Sequence, residues 1–251
     1  MLRKREAGKL KRWLIVFAKF VFRNLPFLRG MESSVRFRLY YSDIFGKLRF
    51  KGEFCQDMIA YLYLRNIKEG FYIDIGAYDG INLSNTYIFE QIGYRGICIE
   101  ANPSVFKILK KYRKCDCYNV ALSSESKENA DFFKAASRVS VLSGLSVGML
   151  EHKKQLAENA GKTEIIKVKT MTFDEIMANH PDIKHIDFMS LDVEGHEIPI
   201  LETINFEKYT FGLITIEAND PEQLKDIMRK NGYRIFMRTG GDLMFIPQQS
   251  E

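Results

Sequence analysis

The 251-residue chain reads as an α/β protein on a mostly parallel sheet, with a helical extension ahead of it. Three observations predict this. From about residue 70 onward, strand-like and helix-like patterns alternate, as in βαβ units. The buried-looking run 71–75 leads straight into a glycine turn, Gly76-x-x-x-Gly80. The chain ends on two alternating runs, 233–238 and 242–246, joined across Thr239-Gly-Gly241 as an antiparallel hairpin. With 46% hydrophobic residues there is material for one well-buried domain and an extension, and too little for two large domains.

The elements follow in order. Residues 1–30 place Leu10, Trp13, Leu14, Phe17, Val21 and Leu25 at helical spacing beside nine Lys or Arg and one acid, Glu6. Lys19 and Arg23 break the apolar run, which falls short of the ~20 residues a spanning helix needs. No small-x-small cleavage pattern follows it. A basic amphipathic helix lying on an anionic membrane surface fits, and so does one packed on protein. Residues 31–69 read as a helical lead-in, with a helix over 56–66. Strands are expected at 71–75, 96–100, 116–121, 186–192 and 211–217, and helices at 82–92, 103–113, 172–179, 197–204 and 221–231. Pro103 suits a helix start, where its missing N–H is no loss. Asn231-Gly232 closes the last helix.

Residues 70–251 form the main domain, interrupted by an insertion at about 122–171. The insertion holds strand candidates at 131–134 and 163–168, a charged helix at 149–159, and a Ser/Gly-containing loop, 137–144. Long connections inside compact domains are often functional lids, and serines and glycine suit a polyhydroxylated partner; a solvated loop without a role is the alternative.

Outside residues 1–30 the charge is near neutral, which excludes a nucleic-acid-binding core. Cys55, Cys98, Cys115 and Cys117 make no disulfide framework, and Cys115-x-Cys117 lacks zinc spacing. A cytoplasmic location follows, with the extension at the inner face of a membrane.

The glycine turn lacks G-x-G-x-x-G and carries Asp74 and Asp79, which would repel a pyrophosphate. A cationic adenosine compound would be welcome there, and S-adenosylmethionine fits: ammonium, sulfonium, ribose diol and no phosphate. Gly76 lets the backbone approach a ligand, with Ala77 and Tyr78 beside it, and Gly80 permits the turn into the next helix. Asp79 either meets the ammonium or orders the turn. A helix beginning near Asn82 would offer Ser84, Asn85 and Thr86 to a carboxylate. Glu100, ending the second strand, is placed for the ribose hydroxyls. Asn102 would shape the adenine side, and Asn119, Val120 and Ala121 would supply backbone contacts.

The fourth strand ends in Ser190-Leu-Asp-Val-Glu-Gly-His-Glu197. Asp192 is expected at the cofactor crevice and, with Glu194 and His196, is a catalytic candidate. Glu194 and His196 are candidates to take a proton from an acceptor hydroxyl; Glu197 as a helix cap beside a bystander histidine is the other reading. Asp192, Glu217 and Asn219 would suit a hard cation, but no loop signature supports one and no metal is expected.

With these residues in place, the chain resembles the FkbM family of S-adenosylmethionine-dependent methyltransferases. The resemblance rests on Asp74-Ile-Gly-Ala-Tyr-Asp-Gly80, Ser84-Asn-Thr86, Gly93-Tyr-Arg-Gly96, Ile99-Glu-Ala-Asn-Pro103 and Leu191-Asp-Val-Glu-Gly-His-Glu197, in that order. It implies a class I Rossmann-like methyltransferase fold with a seven-stranded sheet and an antiparallel last strand. It also implies O-methylation, with sugars of glycans and polyketide hydroxyls among the acceptors. The family commonly has Asn where this chain has Tyr78. A sugar or glycan intermediate, as in surface polysaccharide biosynthesis, is the expected acceptor. An NAD-linked sugar dehydrogenase or epimerase and a non-catalytic membrane-docked scaffold are the readings from other classes.

Overall fold

The computed structural model describes residues 48–135 and 137–248, the side chains of residues 137–139 excepted. The basic extension 1–30 and the first part of the lead-in lie outside these residues. A lead-in helix, α1 (Gln56–Leu64), precedes β1 (Phe71–Ile75). Then come α2 (Tyr87–Gln91), β2 (Arg95–Ile99), α3 (Pro103–Tyr112), β3 (Asp116–Tyr118), β4 (Ala121–Leu122), β5 (Lys127–Ala135), a 3₁₀ turn (Ser137–Leu142), β6 (Gly144–Leu145), α4 (Glu151–Ala160) and β7 (Thr163–Met171). The chain closes through α5 (Phe173–Met177), β8 (His185–Leu191), α6 (Glu197–Thr203), β9 (Thr210–Glu217), α7 (Pro221–Lys230), β10 (Tyr233–Thr239) and β11 (Asp242–Pro247).

Seven strands form the main sheet in the order β10-β11-β9-β8-β1-β2-β3. β1 pairs parallel with β2 and β8, and β8 with β9, while β11 runs antiparallel between β9 and β10. This is the class I methyltransferase arrangement, a mostly parallel Rossmann-like sheet with its last strand reversed. The order switches direction at β1, so the crevice beyond the carboxyl ends of β1 and β8 is where a ligand belongs.

Both faces of the sheet are covered, which is why Phe71–Ile75 is buried at all five positions. One face sets Ile73, Ile97, Met189 and Ile214 against Ile176, Ile200 and Leu224 of α5, α6 and α7. The other sets Tyr72, Cys98, Phe188 and Leu213 against Ala60, Phe89 and Leu109 of α1, α2 and α3. Local chemistry starts the helices. The Asn102 side chain caps α3 ahead of Pro103, Asp220 caps α7 ahead of Pro221, and Thr172 forms a capping box with Glu175 at α5.

Three expectations need correction. The helix expected over 82–92 is only Tyr87–Gln91. Leu83 has φ of 59°, and the Ser84 hydroxyl accepts from the Thr86 and Tyr87 N–H groups, so side-chain turns replace helical bonds there. The strand expected over 116–121 is two strands in different sheets. Asn119 breaks it, donating through Nδ2 to the Glu100 and Ala101 carbonyls. The insertion contains its expected charged helix as α4 but more strand than expected: β4, β7, β5 and β6 make a separate four-stranded sheet, and β5 and β7 each span nine residues. Among the described residues no helix is long and apolar enough to cross a membrane.

Candidate active site

A cleft of about 310 Å³ opens at the carboxyl ends of β1, β2, β8 and β9, under the insertion. Its floor is the glycine turn. Gly76 has φ of +86°, and a Cβ there would lie 1.7 Å from the Asp192 carbonyl oxygen, so only glycine lets the turn press against the end of β8. The Gly76 and Ala77 N–H groups both donate to the Ile99 carbonyl at 3.0 Å. Tyr78 has φ of 49° and donates its N–H to Glu100 Oε2 at 3.0 Å. An asparagine would take this backbone more easily, and tyrosine is tolerated because the main chain makes the contact.

Glu100 is buried, with Oε1 accepting from the Asn102 N–H at 2.7 Å. Burial pushes its carboxyl up to about 7, against the pull of those two backbone donors. Asp74, 4% exposed, is raised by burial too, and opposed by Arg113. Its Oδ2 accepts from Thr86 Oγ1 at 2.5 Å and Ser84 Oγ at 3.5 Å, and Arg113 Nη1 stands 3.8 Å away. The hydroxyls expected to receive a ligand carboxylate are therefore engaged with Asp74, and α2 is too short and too late to offer its N-terminus. Asn85 remains open. Its Nδ2 donates to Ser190 Oγ at 3.1 Å, and its buried Oδ1 has no partner.

Asp74, Gly76, Ala77, Tyr78, Ser84 and Asn85 all line the cleft, as do Glu100, Val120 and Ala121. Asp192, Glu194 and His196 line it from the loop that follows β8. Five expected residues do not, Thr86 among them, fully buried with its hydroxyl on Asp74. Asp79 orders the turn instead, accepting from the Ile81 and Asn82 N–H groups at 2.9 and 2.8 Å. Gly80 lies behind the turn, with φ of +80°, against Arg113. Asn102 lines a neighbouring cavity, and Asn119 braces the end of β2. Ser140, Ser143 and Gly144 of the insertion loop do reach the cleft.

Two ends are chemically distinct. Ala101, Val120, Ala121, Leu122, Phe132 and Leu145 make an apolar slot that suits a planar ring. Elsewhere Glu53, Asp74, Glu100, Asp192, Glu194, Glu217 and Asp242 line the walls, and among the described residues no Lys or Arg does. Asp192 is open to the cleft although it lies deep in the protein. Its carboxyl is raised by the loss of bulk solvent and then by Glu217, Glu194, Asp242 and Glu197. Desolvation, with Glu217 next, lifts Glu194 to about 7 against the opposing Lys153.

Lys153 of α4 has no counterpart among the residues singled out from the sequence. Its Nζ lies 2.5 Å from Glu194 and 2.6 Å from Glu217, pinning the insertion over the acid cluster. Asp192, Glu197 and Glu217 bring one oxygen each within 4.8 Å of one another. Glu197 accepts from Val193, Gly195 and Asn219, and Glu217 from Lys153 and Asn219. His196 is 6% exposed, meets Ser123 Oγ through Nε2 at 3.1 Å and has no partner at Nδ1. Burial lowers its pKa and so favours the neutral imidazole.

The chain matches the methyltransferase FkbM domain over residues 74–235. It belongs to the FkbM methyltransferase family. Its cofactor is S-adenosylmethionine. The cleft fits that molecule: a slot for the ring, an orphaned amide oxygen at Asn85 for an ammonium, and carboxylates for positive charge. No curated protein matches the sequence significantly. Among solved structures, a putative caffeoyl-CoA O-methyltransferase from Staphylococcus aureus aligns over 92% of this chain and 99% of its own, at 13% identity and a TM-score of 0.42. A precorrin-6y C5,15-methyltransferase from Geobacter metallireducens GS-15 aligns over 80% and 89%, at 13% identity and a TM-score of 0.38.

Leu83 is 47% exposed at the cleft wall, in a left-handed conformation that disfavours a large side chain. Leu83→Asn is expected to raise stability by about 1 kcal/mol. Urea unfolding that shows an unchanged or lower midpoint would count against strain at this position.

Proposed function

We propose that this FkbM methyltransferase transfers a methyl group to a hydroxyl of a sugar or glycan intermediate, as surface polysaccharide biosynthesis requires. The observation that carries the O-methyl reading is Glu194, a cleft carboxylate poised near neutral pH at the mouth of the crevice. When bound, S-adenosylmethionine supplies an already activated methyl group on its sulfonium. The remaining work falls to the chain: aligning the acceptor oxygen and taking its proton. With the cofactor bound, Glu194 would take that proton and leave the acceptor oxygen free to receive the methyl group. Asp192 and Asn85 hold the cationic amino-acid end, and Gly76 and Ala77 give it close backbone approach. Glu100 receives the ribose hydroxyls, and Val120 and Ala121 flank the adenine. His196, neutral and bonded to Ser123, orders the wall behind Glu194. The Ser140 and Ser143 hydroxyls favour a polyhydroxylated acceptor over a polyketide.

Labelled methyl transfer to a panel of sugars, with the product mapped by NMR, tests the reading. Methyl found on nitrogen or carbon overturns it. The basic residues 1–30 favour action at the cytosolic face of a membrane. Full-length protein that fails to sediment with anionic liposomes at low salt excludes that placement.

Glu100→Ala is expected to weaken cofactor binding by ~1–3 kcal/mol, the scale of hydrogen bonds to a charged group. The wild-type protein also carries a pH signature. Ribose hydroxyls donate to the ionised carboxylate, whose folded pKa is raised to about 7. Affinity for S-adenosylhomocysteine should fall as pH drops through that value, and Glu100→Gln should flatten the dependence. Calorimetry giving a wild-type affinity constant from pH 5.5 to 8 removes the ribose assignment.

A further inference from the structure

A second cavity, of about 500 Å³, lies between the N-terminal end of α3 and the strands β5 and β7. It adjoins the cofactor cleft. Tyr78 and Ser140 line both, and their hydroxyls meet at 3.3 Å.

Asn102 lines this cavity and is 1% exposed. Its Oδ1 caps α3 by accepting the Ser104 N–H at 3.1 Å, but its buried Nδ2 has no partner. A buried donor left unpaired is destabilising, and Ser or Asp would cap the helix equally well. Asparagine adds an N–H donor that the cap itself does not use, and that donor needs an acceptor oxygen.

The other polar groups of the cavity sort in the same direction. Asp79 is occupied by the Ile81 and Asn82 N–H groups, and Glu164 by Lys134 at 2.6 Å. Lys162 pairs with no carboxylate among the described residues, and Ser104 places its hydroxyl at the positive end of α3. What remains uncommitted is the Asn102 amide donor, the Ser104 and Thr163 hydroxyls and one cation. Val105 and Ile108 supply an apolar wall alongside.

We propose that this cavity binds an oxyanion, phosphate or carboxylate, carried by the acceptor, with Asn102 Nδ2, Ser104 and Lys162 as its donors. The inference rests on the methyl-acceptor reading above and narrows it to acidic acceptors. Hexyl phosphate, hexanoate and hexanol, titrated by calorimetry into protein saturated with S-adenosylhomocysteine, test it. One of the two anions should bind with unit stoichiometry and hexanol should not; the tighter anion identifies the group. Lys162→Ala, an exposed position, should weaken that binding about tenfold and leave S-adenosylhomocysteine affinity unchanged. Asn102→Asp, which keeps the cap and replaces the donor with a charge, should abolish it. Neither anion binding, or binding indifferent to Lys162→Ala, overturns the proposal. Methyl transfer to hydroxyls without anion binding defeats the cavity alone. Anion binding without any O-methyl product defeats the functional reading and leaves the site standing.

Discussion

Arg113→Met is expected to destabilise the protein by about 3–5 kcal/mol, because it removes one partner of a buried ion pair and leaves the other uncompensated. The Arg113 side chain is fully buried. Its Nε lies 3.1 Å from Glu90, Nη1 donates to the Gly80 carbonyl at 3.1 Å, and Nη2 donates to Thr86 Oγ1 at 3.0 Å. The guanidinium also stacks on Tyr72 and Tyr87, 5.2 and 5.8 Å from their ring centres. One cation thus ties β1, the glycine turn and α2 together behind the cleft. Methionine fills part of the volume but leaves the carboxylates of Asp74 and Glu90 without their cation. The sign with pH follows. The folded pKa of Asp74 is already raised, and without Arg113 it rises further, so the variant regains stability as pH falls and loses it as pH rises through that value. Adding Asp74→Asn should restore part of the loss at pH 7. Urea unfolding that shows a loss under 1 kcal/mol, or no rescue by Asp74→Asn, would remove the pair from its structural role.

Arg113 also shows where reading the sequence stops. The strands with continuous apolar runs, the turn at Gly76 and the acid ending β2 are local patterns, and local patterns survive folding. Asp74 was expected to show its charge to a ligand. Its actual partner is an arginine 39 positions along the chain, and no spacing signals a contact made only when β1, α2 and the end of α3 meet. Lys153 is the same case: an ordinary member of a charged helix until α4 folds over the acids. The electrostatic preference for a cation nevertheless holds, carried by other residues. Glu217 and Asp242, from β9 and β11, join Asp192 and Glu194 only through the strand order. The shortened α2 has a different cause. Ser84 and Thr86 fit a helix pattern by position, but their hydroxyls compete with the helical bonds and bind Asp74. The four-stranded insertion sheet was hard to see because β5 is largely solvated, so its polar first half carries no apolar alternation.

Glu194→Gln is expected to lower kcat by ~10²–10⁴-fold, the range for removing a general base. It should also remove the acid limb of the rate profile. The base must be ionised to accept a proton, so wild-type kcat at saturating cofactor falls as pH drops through about 7, and the glutamine enzyme shows no such fall. Saturation matters because Glu100 titrates in the same region, and bound ribose holds it ionised. Stability should move the other way. A carboxyl whose folded pKa is raised from 4.5 to about 7 gives its full stabilisation at low pH, and that stabilisation is lost as pH rises through the folded value. At pH 8 the ionised Glu194 therefore weighs on the fold by roughly 3 kcal/mol, at 1.36 kcal/mol for each unit of pKa. Glutamine relieves that burden, and Lys153 keeps Glu217 as a partner. A variant that is more stable and far slower is the mark of a charge held for chemistry. His196→Gln separates the two candidates: it should keep the acid limb if Glu194 is the base. If the limb vanishes in His196→Gln and persists in Glu194→Gln, the proton goes to the histidine.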